Sequence, residues 1–190
     1  MGSSNTSGLP SQRLALSRRT LLGASVGAAG LFALRPFAAL AATGPRNISF
    51  VNLHTGEKLN CCYFEGADYN TGELARIAKV LRDHRSGDVH PIDNRLLDTL
   101  HRLRGALETD KPFHVISGYR SPVSNAKMAT ASKGVAKKSL HMEGMAIDIR
   151  VPGVDLMNLQ KAAKTLQAGG VGYYGESNFV HVDVGRVRYW

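Results

Sequence analysis

The sequence predicts an α+β domain, a small antiparallel sheet flanked by three to four helices. Three observations carry that prediction. Short runs rich in β-branched and aromatic residues recur along the chain, leucine stripes at helical spacing lie between them, and capping or turn residues mark the junctions.

Residues 47–53 and 57–64 are the first two strand-like runs, with His54-Thr55-Gly56 between them as a hairpin turn. Cys61 and Cys62 sit in the second run. Adjacent cysteines cannot cross-link distant segments, and with no further cysteine they build no thiolate metal site. They are expected to be one inward and one outward strand residue. Asn70, three residues before Glu73, starts a helix whose apolar positions are Leu74, Ile77, Ala78 and Leu81. A second helix follows Pro91 and Asp93, with Leu96, Leu97, Leu100, Leu103 and Leu107 as its buried stripe. His84, His90 and His101 lie on or near these helices without a partner at ligand spacing, and are read as exposed or structural.

Residues 113–116 form the next strand and run directly into Ser117-Gly118-Tyr119-Arg120-Ser121-Pro122. Ser121 is a helix N-cap there and Pro122 the first helical residue, which leaves Arg120 at a strand end. A basic loop of small residues then reaches Lys138. Residues 146–151 are a strand. Asp155 caps a further helix that runs through Gln167 and stops at Gly169-Gly170. Residues 171–174 and 179–184 complete the sheet around a Gly175-Glu176-Ser177-Asn178 turn.

The first 41 residues do not read as part of this fold. They hold four arginines and no acid; Arg18-Arg19 precedes a weakly apolar run over residues 21–34, and Ala39-Leu40-Ala41 offers the small residues a signal peptidase uses. This pattern resembles a twin-arginine signal. Arg35 and Pro36 break the run well short of the roughly 20 apolar residues a membrane span needs. The expectation is therefore export by the twin-arginine machinery to the periplasm, with no stable membrane insertion after the signal is removed. Residues 42–190 remain as one domain, expected to be monomeric. Losing four of the nine net positive charges leaves five, a surface suited to an anionic partner such as cell wall. No arginine-rich or aromatic-interleaved basic tract points to nucleic acid.

The chemistry concentrates in two stretches. In Ser139-Leu140-His141-Met142-Glu143-Gly144-Met145-Ala146-Ile147-Asp148, the aspartate alternates with isoleucines and shares a strand face with Ala146. A carboxylate held in an apolar strand is costly without a cationic partner, and a metal ion would serve. Gly144 allows the turn that brings the His141 imidazole back to that face. In Phe179-Val180-His181-Val182-Asp183-Val184, His181 and Asp183 face one side and the valines the other. Taken alone, His181 reads first as a core histidine satisfied by Asp183. Two histidines and one aspartate with an open fourth position match a catalytic zinc site better than a closed structural one.

The spacing of Ser139, His141, Gly144, Ala146 and Asp148, together with the SGYRSP stretch upstream and GGVGYYGESNFVHVDVGRVRYW downstream, closely resembles the MepK (YcbK, DUF882) type of zinc murein endopeptidases in the M15 peptidase family. The likeness spans about residues 47–190. It implies an M15/hedgehog-like metal core of the kind shared with lysostaphin-type enzymes and D-Ala-D-Ala dipeptidases. It also implies Zn²⁺ held by His141, Asp148 and His181, and a functional arginine at Arg120. The wider superfamily usually places a catalytic histidine or acid two or three positions before the last ligand. Here those positions hold Phe179 and Asn178, neither of which can act as a base. Asp183 is then the first candidate for proton transfer, followed by Glu176 and Glu143. Zinc lowers the pKa of bound water from 15.7 to about 7, Arg120 would stabilise the developing oxyanion, and Ser139 would bind a substrate carboxylate or support the site, unless it is a plain loop hydroxyl.

The activity implied is hydrolysis of the cross-linking stem peptides of peptidoglycan, at a D-Ala-diaminopimelate or similar bond. Two other readings compete: a non-catalytic zinc domain that binds cell wall, and a D,D- or L,D-carboxypeptidase.

Overall fold

A computed structural model describes residues 44–131 and 136–190 of the chain. The expected signal, residues 1–41, lies outside them. The first hairpin joins β1 (Arg46–Asn52) to β2 (Lys58–Glu65) in antiparallel register, with Phe50 opposite Leu59. Asn52 closes its turn, because the side-chain oxygen accepts the His54 and Thr55 N–H groups while its amide donates to the Val80 carbonyl. Cys61 is buried and Cys62 is not, as strand alternation requires. A two-residue strand β3 (Asp68–Tyr69) follows, then α1 (Thr71–Val80), capped by Asn70, and α2 (Asn94–Ala106), capped by Asp93.

The second half runs through β4 (Phe113–Ser117), α3 (Pro122–Ala131), β5 (Ala146–Arg150), α4 (Leu156–Thr165), β6 (Gly170–Tyr174), β7 (Phe179–Asp183) and β8 (Arg188–Tyr189). Ser121 caps α3 by accepting the Ser124 N–H at 3.2 Å, and Asp155 caps α4 through Met157 and Asn158. The latter helix ends two residues earlier than its pattern suggests, since Gln167 has turned out to φ 48°.

The α+β class and the helices stand as expected, but the sheet is larger and mixed. Among the described residues it has eight strands in the order β3-β2-β1-β4-β5-β7-β6-β8. β1 pairs parallel with β4 because α1 and α2 intervene and return the chain in the same direction, and β8 pairs parallel with β6. The edge strands β3 and β8 are two residues long, too short to leave an alternating pattern in sequence.

Helix α1 packs on β2, α2 on β1 and α4, and α4 on β6 and β7. One face of the sheet therefore supplies the core: Ile147 pairs with Val182 and Val182 with Val171, all buried against the helices' leucines. The opposite face carries a different row. Ser117, Asp148, His181 and Gly172 are consecutive partners across β4, β5, β7 and β6, so their Cα positions line up on one side of the sheet.

Candidate metal centre

The row across the sheet brings Asp148 beside His181, and a 3₁₀ turn over Leu140–Glu143 delivers His141 to the same point. Ser139 caps this turn by accepting the His141 N–H at 3.4 Å. Gly144 ends it in the left-handed region, φ 65°, with the Pro91 carbonyl where a side chain would stand, so only glycine fits both the angle and the space. The Arg120 N–H donates to the His141 carbonyl at 3.1 Å, tying the turn to the end of β4.

Three electron-pair donors meet there. His181 Nδ1 lies 2.9 Å from Asp148 Oδ1, His141 Nε2 lies 3.3 Å from the same oxygen, and the two nitrogens are 3.2 Å apart. The other nitrogen of each ring is committed. His141 Nδ1 donates to the Gly118 carbonyl at 2.7 Å, and His181 Nε2 donates to Asp183 Oδ2 at 3.0 Å. A carbonyl can only accept, so His141 is held in the tautomer that turns a lone pair toward His181 and Asp148. Lone pairs turned toward one another need positive charge between them, a metal ion or a proton on one ring. A tetrahedral ion with bonds of about 2.0–2.1 Å keeps its donors about 3.3 Å apart, close to the spacings here. His141, Asp148 and His181, all buried, could thus hold a metal ion.

The electrostatics agree with a site built for positive charge. Burial would raise the Asp148 carboxyl, but the two imidazoles outweigh it and hold it below the usual carboxylate range. Burial lowers His181, yet its contacts with Asp148 and Asp183 raise it to about 9. Arg120 is buried, with its basicity lowered by desolvation and supported by Asp148, whose Oδ2 is 3.7 Å from the guanidinium. Its remaining contacts are Asn125 Oδ1 at 3.3 Å and Ser117 Oγ at 3.4 Å, and its Nε has no hydrogen-bond partner.

Asp183, expected to move protons, stands beneath His181 instead. It is fully buried, accepts the Gly170 and Gly185 N–H groups at 2.9 Å each, and takes both terminal nitrogens of Arg188 at 2.7 and 3.1 Å. His181 has Asp183 as its partner through Nε2, the nitrogen that faces away from Asp148 and His141. Glu143 and Glu176 are exposed, and neither lines the cleft above the three donors. Phe179 stacks on Tyr174 with ring centroids 4.6 Å apart, and Asn178 occupies a turn at φ 54°.

The cleft has a volume of about 440 Å³. Trp190 closes one side: its ring lies where a side chain on Gly172 would be, 5.3 Å from the His181 ring, and its Nε1–H donates to the Tyr174 hydroxyl at 2.9 Å. Glycine at position 172, the last member of the Ser117–Asp148–His181 row, is what admits the indole. Ser139 lines the cleft beside His141. Sequence reasoning did not single out Arg188, Trp190 or the buried Asp83, which accepts the Ser121 N–H at 2.9 Å and the Arg85 N–H at 3.0 Å. No local spacing marks them, because their partners are brought in by sheet register and loop packing.

Comparison with known proteins agrees with the geometry. A family model of the M15 peptidases described as "Peptidoglycan L,D-endopeptidase MepK" matches residues 40–190. The chain is 45% identical over 177 residues to the peptidoglycan L,D-endopeptidase MepK of Escherichia coli K12, covering 92% of this chain and 97% of that one. The Shigella flexneri protein of the same name has the same identity and coverage. A probable peptidoglycan L,D-endopeptidase MepK of Haemophilus influenzae is 40% identical over 147 residues, 77% of this chain and 79% of that one. On its match over most of its length, the chain belongs to the MepK family of M15 peptidases.

Proposed function

We propose that this chain is a zinc-dependent endopeptidase that hydrolyses cross-linking peptides of peptidoglycan in the periplasm, after export by the twin-arginine route. The observation that carries the reading is the meeting of His141 Nε2, Asp148 Oδ1 and His181 Nδ1 at the floor of an open cleft. Two nitrogens and one oxygen suit zinc, and three protein donors leave a coordination position for reactants. The relatives' names support the substrate class, and their L,D designation favours a bond between an L- and a D-configured centre over the D-Ala bond anticipated from sequence.

Zinc in this position would act as a Lewis acid on the scissile carbonyl and lower the pKa of water. The chain's own groups do the rest. The Gly118 carbonyl and Asp183 hold the two imidazoles in orientation, and Arg188 with the Gly170 and Gly185 N–H groups keeps Asp183 ionised. Asp183 is thus a positioning residue for His181 in this reading, since solvent does not reach it. Arg120, with an unpartnered Nε, long contacts to Asn125 and Ser117, and its nearest carboxylate oxygen 3.7 Å away on Asp148, is the buried cation beside the three donors that would stabilise a developing oxyanion. Among the described residues lining the cleft, Asp148 is the one carboxylate, so no dedicated acidic side chain is free to carry the proton.

The test is digestion of cross-linked muropeptide dimers by the zinc-loaded protein, followed by mass spectrometry. Release of monomers cut at an L,D bond is the expected result, with Arg120→Ala keeping its zinc but slowing about 10²–10³-fold. Intact dimers in the presence of folded, metal-loaded protein would refute the reading.

A further inference from the structure

Two chemically different sets of residues line the cleft. One set is aromatic, Tyr174, Phe179 and Trp190, beside Arg188, which is neutralised by its two contacts to Asp183. The other set is basic: Arg85, Lys138 and the buried Arg120. Arg120 faces Asp148, but Arg85 and Lys138 have no carboxylate partner among the described residues. Among the described residues, these two cations of the cleft lining have no carboxylate to neutralise them.

Arg85 is not on a loose loop. Its N–H is held by Asp83 Oδ1, and the other Asp83 oxygen accepts the Ser121 N–H, next to Arg120. One buried carboxylate therefore fixes the turns that carry both arginines. The turn is closed further by Asp83 N–H to the Asp88 carbonyl at 3.0 Å, Gly87 N–H to the Asp83 carbonyl at 2.8 Å, and a His84 ring stacked on His54 at 3.7 Å. Anchoring the backbone removes the main-chain part of the ordering cost when Arg85 engages a ligand, leaving the side-chain rotamers as the part still to be fixed.

Resting on the endopeptidase reading, we infer that Arg85 and Lys138 form a subsite for a free carboxylate of the substrate peptide, so that the cleft selects acidic cross-links. Arg85 offers a planar fork suited to a carboxylate, and Lys138 adds a point charge. Both residues are exposed, so replacing them leaves the core and the metal ligands untouched.

The experiment uses two cross-linked peptides that differ in one group: the carboxyl nearest the scissile bond is free in one and a primary carboxamide in the other. Cleavage is measured with wild type, Arg85→Gln, Lys138→Gln and the double variant. Binding of non-cleavable versions, with the scissile amide reduced to an amine, is measured by calorimetry. Wild type should prefer the free acid about tenfold, chiefly through KM, and salt should erode that preference. In the double variant the ratio between the two peptides should fall toward one, in binding as in cleavage. Equal handling of acid and amide by wild type, or an undiminished preference in the double variant, would overturn the subsite while leaving the peptidase reading intact. Selective binding without any cleavage would do the reverse, and failure to bind or cleave either peptide would sink both.

Discussion

Ile147 and Asp148 are neighbours in β5 and both are buried, yet they belong to different kinds of structure. Ile147 lies in the apolar core with Val182 and Val171, where contacts are non-directional and any close-packed set of similar volume would do. Asp148 faces the other way, in a row with Ser117 and His181, where contacts are directional: His181 Nδ1 and His141 Nε2 both meet its Oδ1. The first face stabilises the sheet. The second is stable only because the first holds its backbone still and because Gly118, Asp183 and Arg188 satisfy its outer atoms. The difference teaches that strand alternation, which usually separates core from solvent, here separates core from a buried polar centre.

That division can be broken from the apolar side, with the largest effect expected. Leu100 is fully buried in α2, and Leu100→Ala should lower the free energy of unfolding by about 2–5 kcal/mol through lost burial and a residual cavity. Urea denaturation measures it. Metal bound per folded molecule should stay the same, and a parallel loss of metal from the folded fraction would mean that the two faces are not separable.

The polar centre was legible in sequence to the extent that it follows the period of two. Asp148 and His181 were conspicuous as charged or titratable residues alternating with isoleucine and valine, and Gly144 marked the turn that returns His141. What holds them was not legible. Arg188 reaches Asp183 around a non-repetitive turn, Asp83 meets Ser121 from 38 positions away, and Gly172 matters only because Trp190 lies on it. The same limit explains the sheet's size: the main strands have alternating patterns, whereas β3 and β8 exist through their neighbours.

A smaller effect sharpens the comparison on the polar side, at the turn that carries Arg85. Burial raises the Asp83 carboxyl, but hydrogen bonds from Ser124, Arg85 and Ser121 outweigh it and hold it below the usual range. Its contribution is therefore present above the unfolded value near 4 and is lost as pH falls through the lower folded one. His84, pushed down to about 4 by burial and by the nearby Arg85 and His54, binds fewer protons folded than unfolded, so stability already declines from about pH 6.5 downward. Asp83→Asn should be about 1–3 kcal/mol less stable than wild type at pH 7, with the gap closing below pH 4. Urea midpoints from pH 3 to 7 give the comparison; a gap independent of pH would show that the charge on Asp83 does not hold the turn.

The central claim is that His141, Asp148 and His181 converge on one zinc ion. Elemental analysis of the purified protein after dialysis, alongside Asp148→Ala and His181→Ala, tests it most directly. About one zinc per wild-type chain and none in either variant, with all three folded by circular dichroism, is the predicted result. Folded wild type that takes up no zinc, or variants that retain it, would contradict the account.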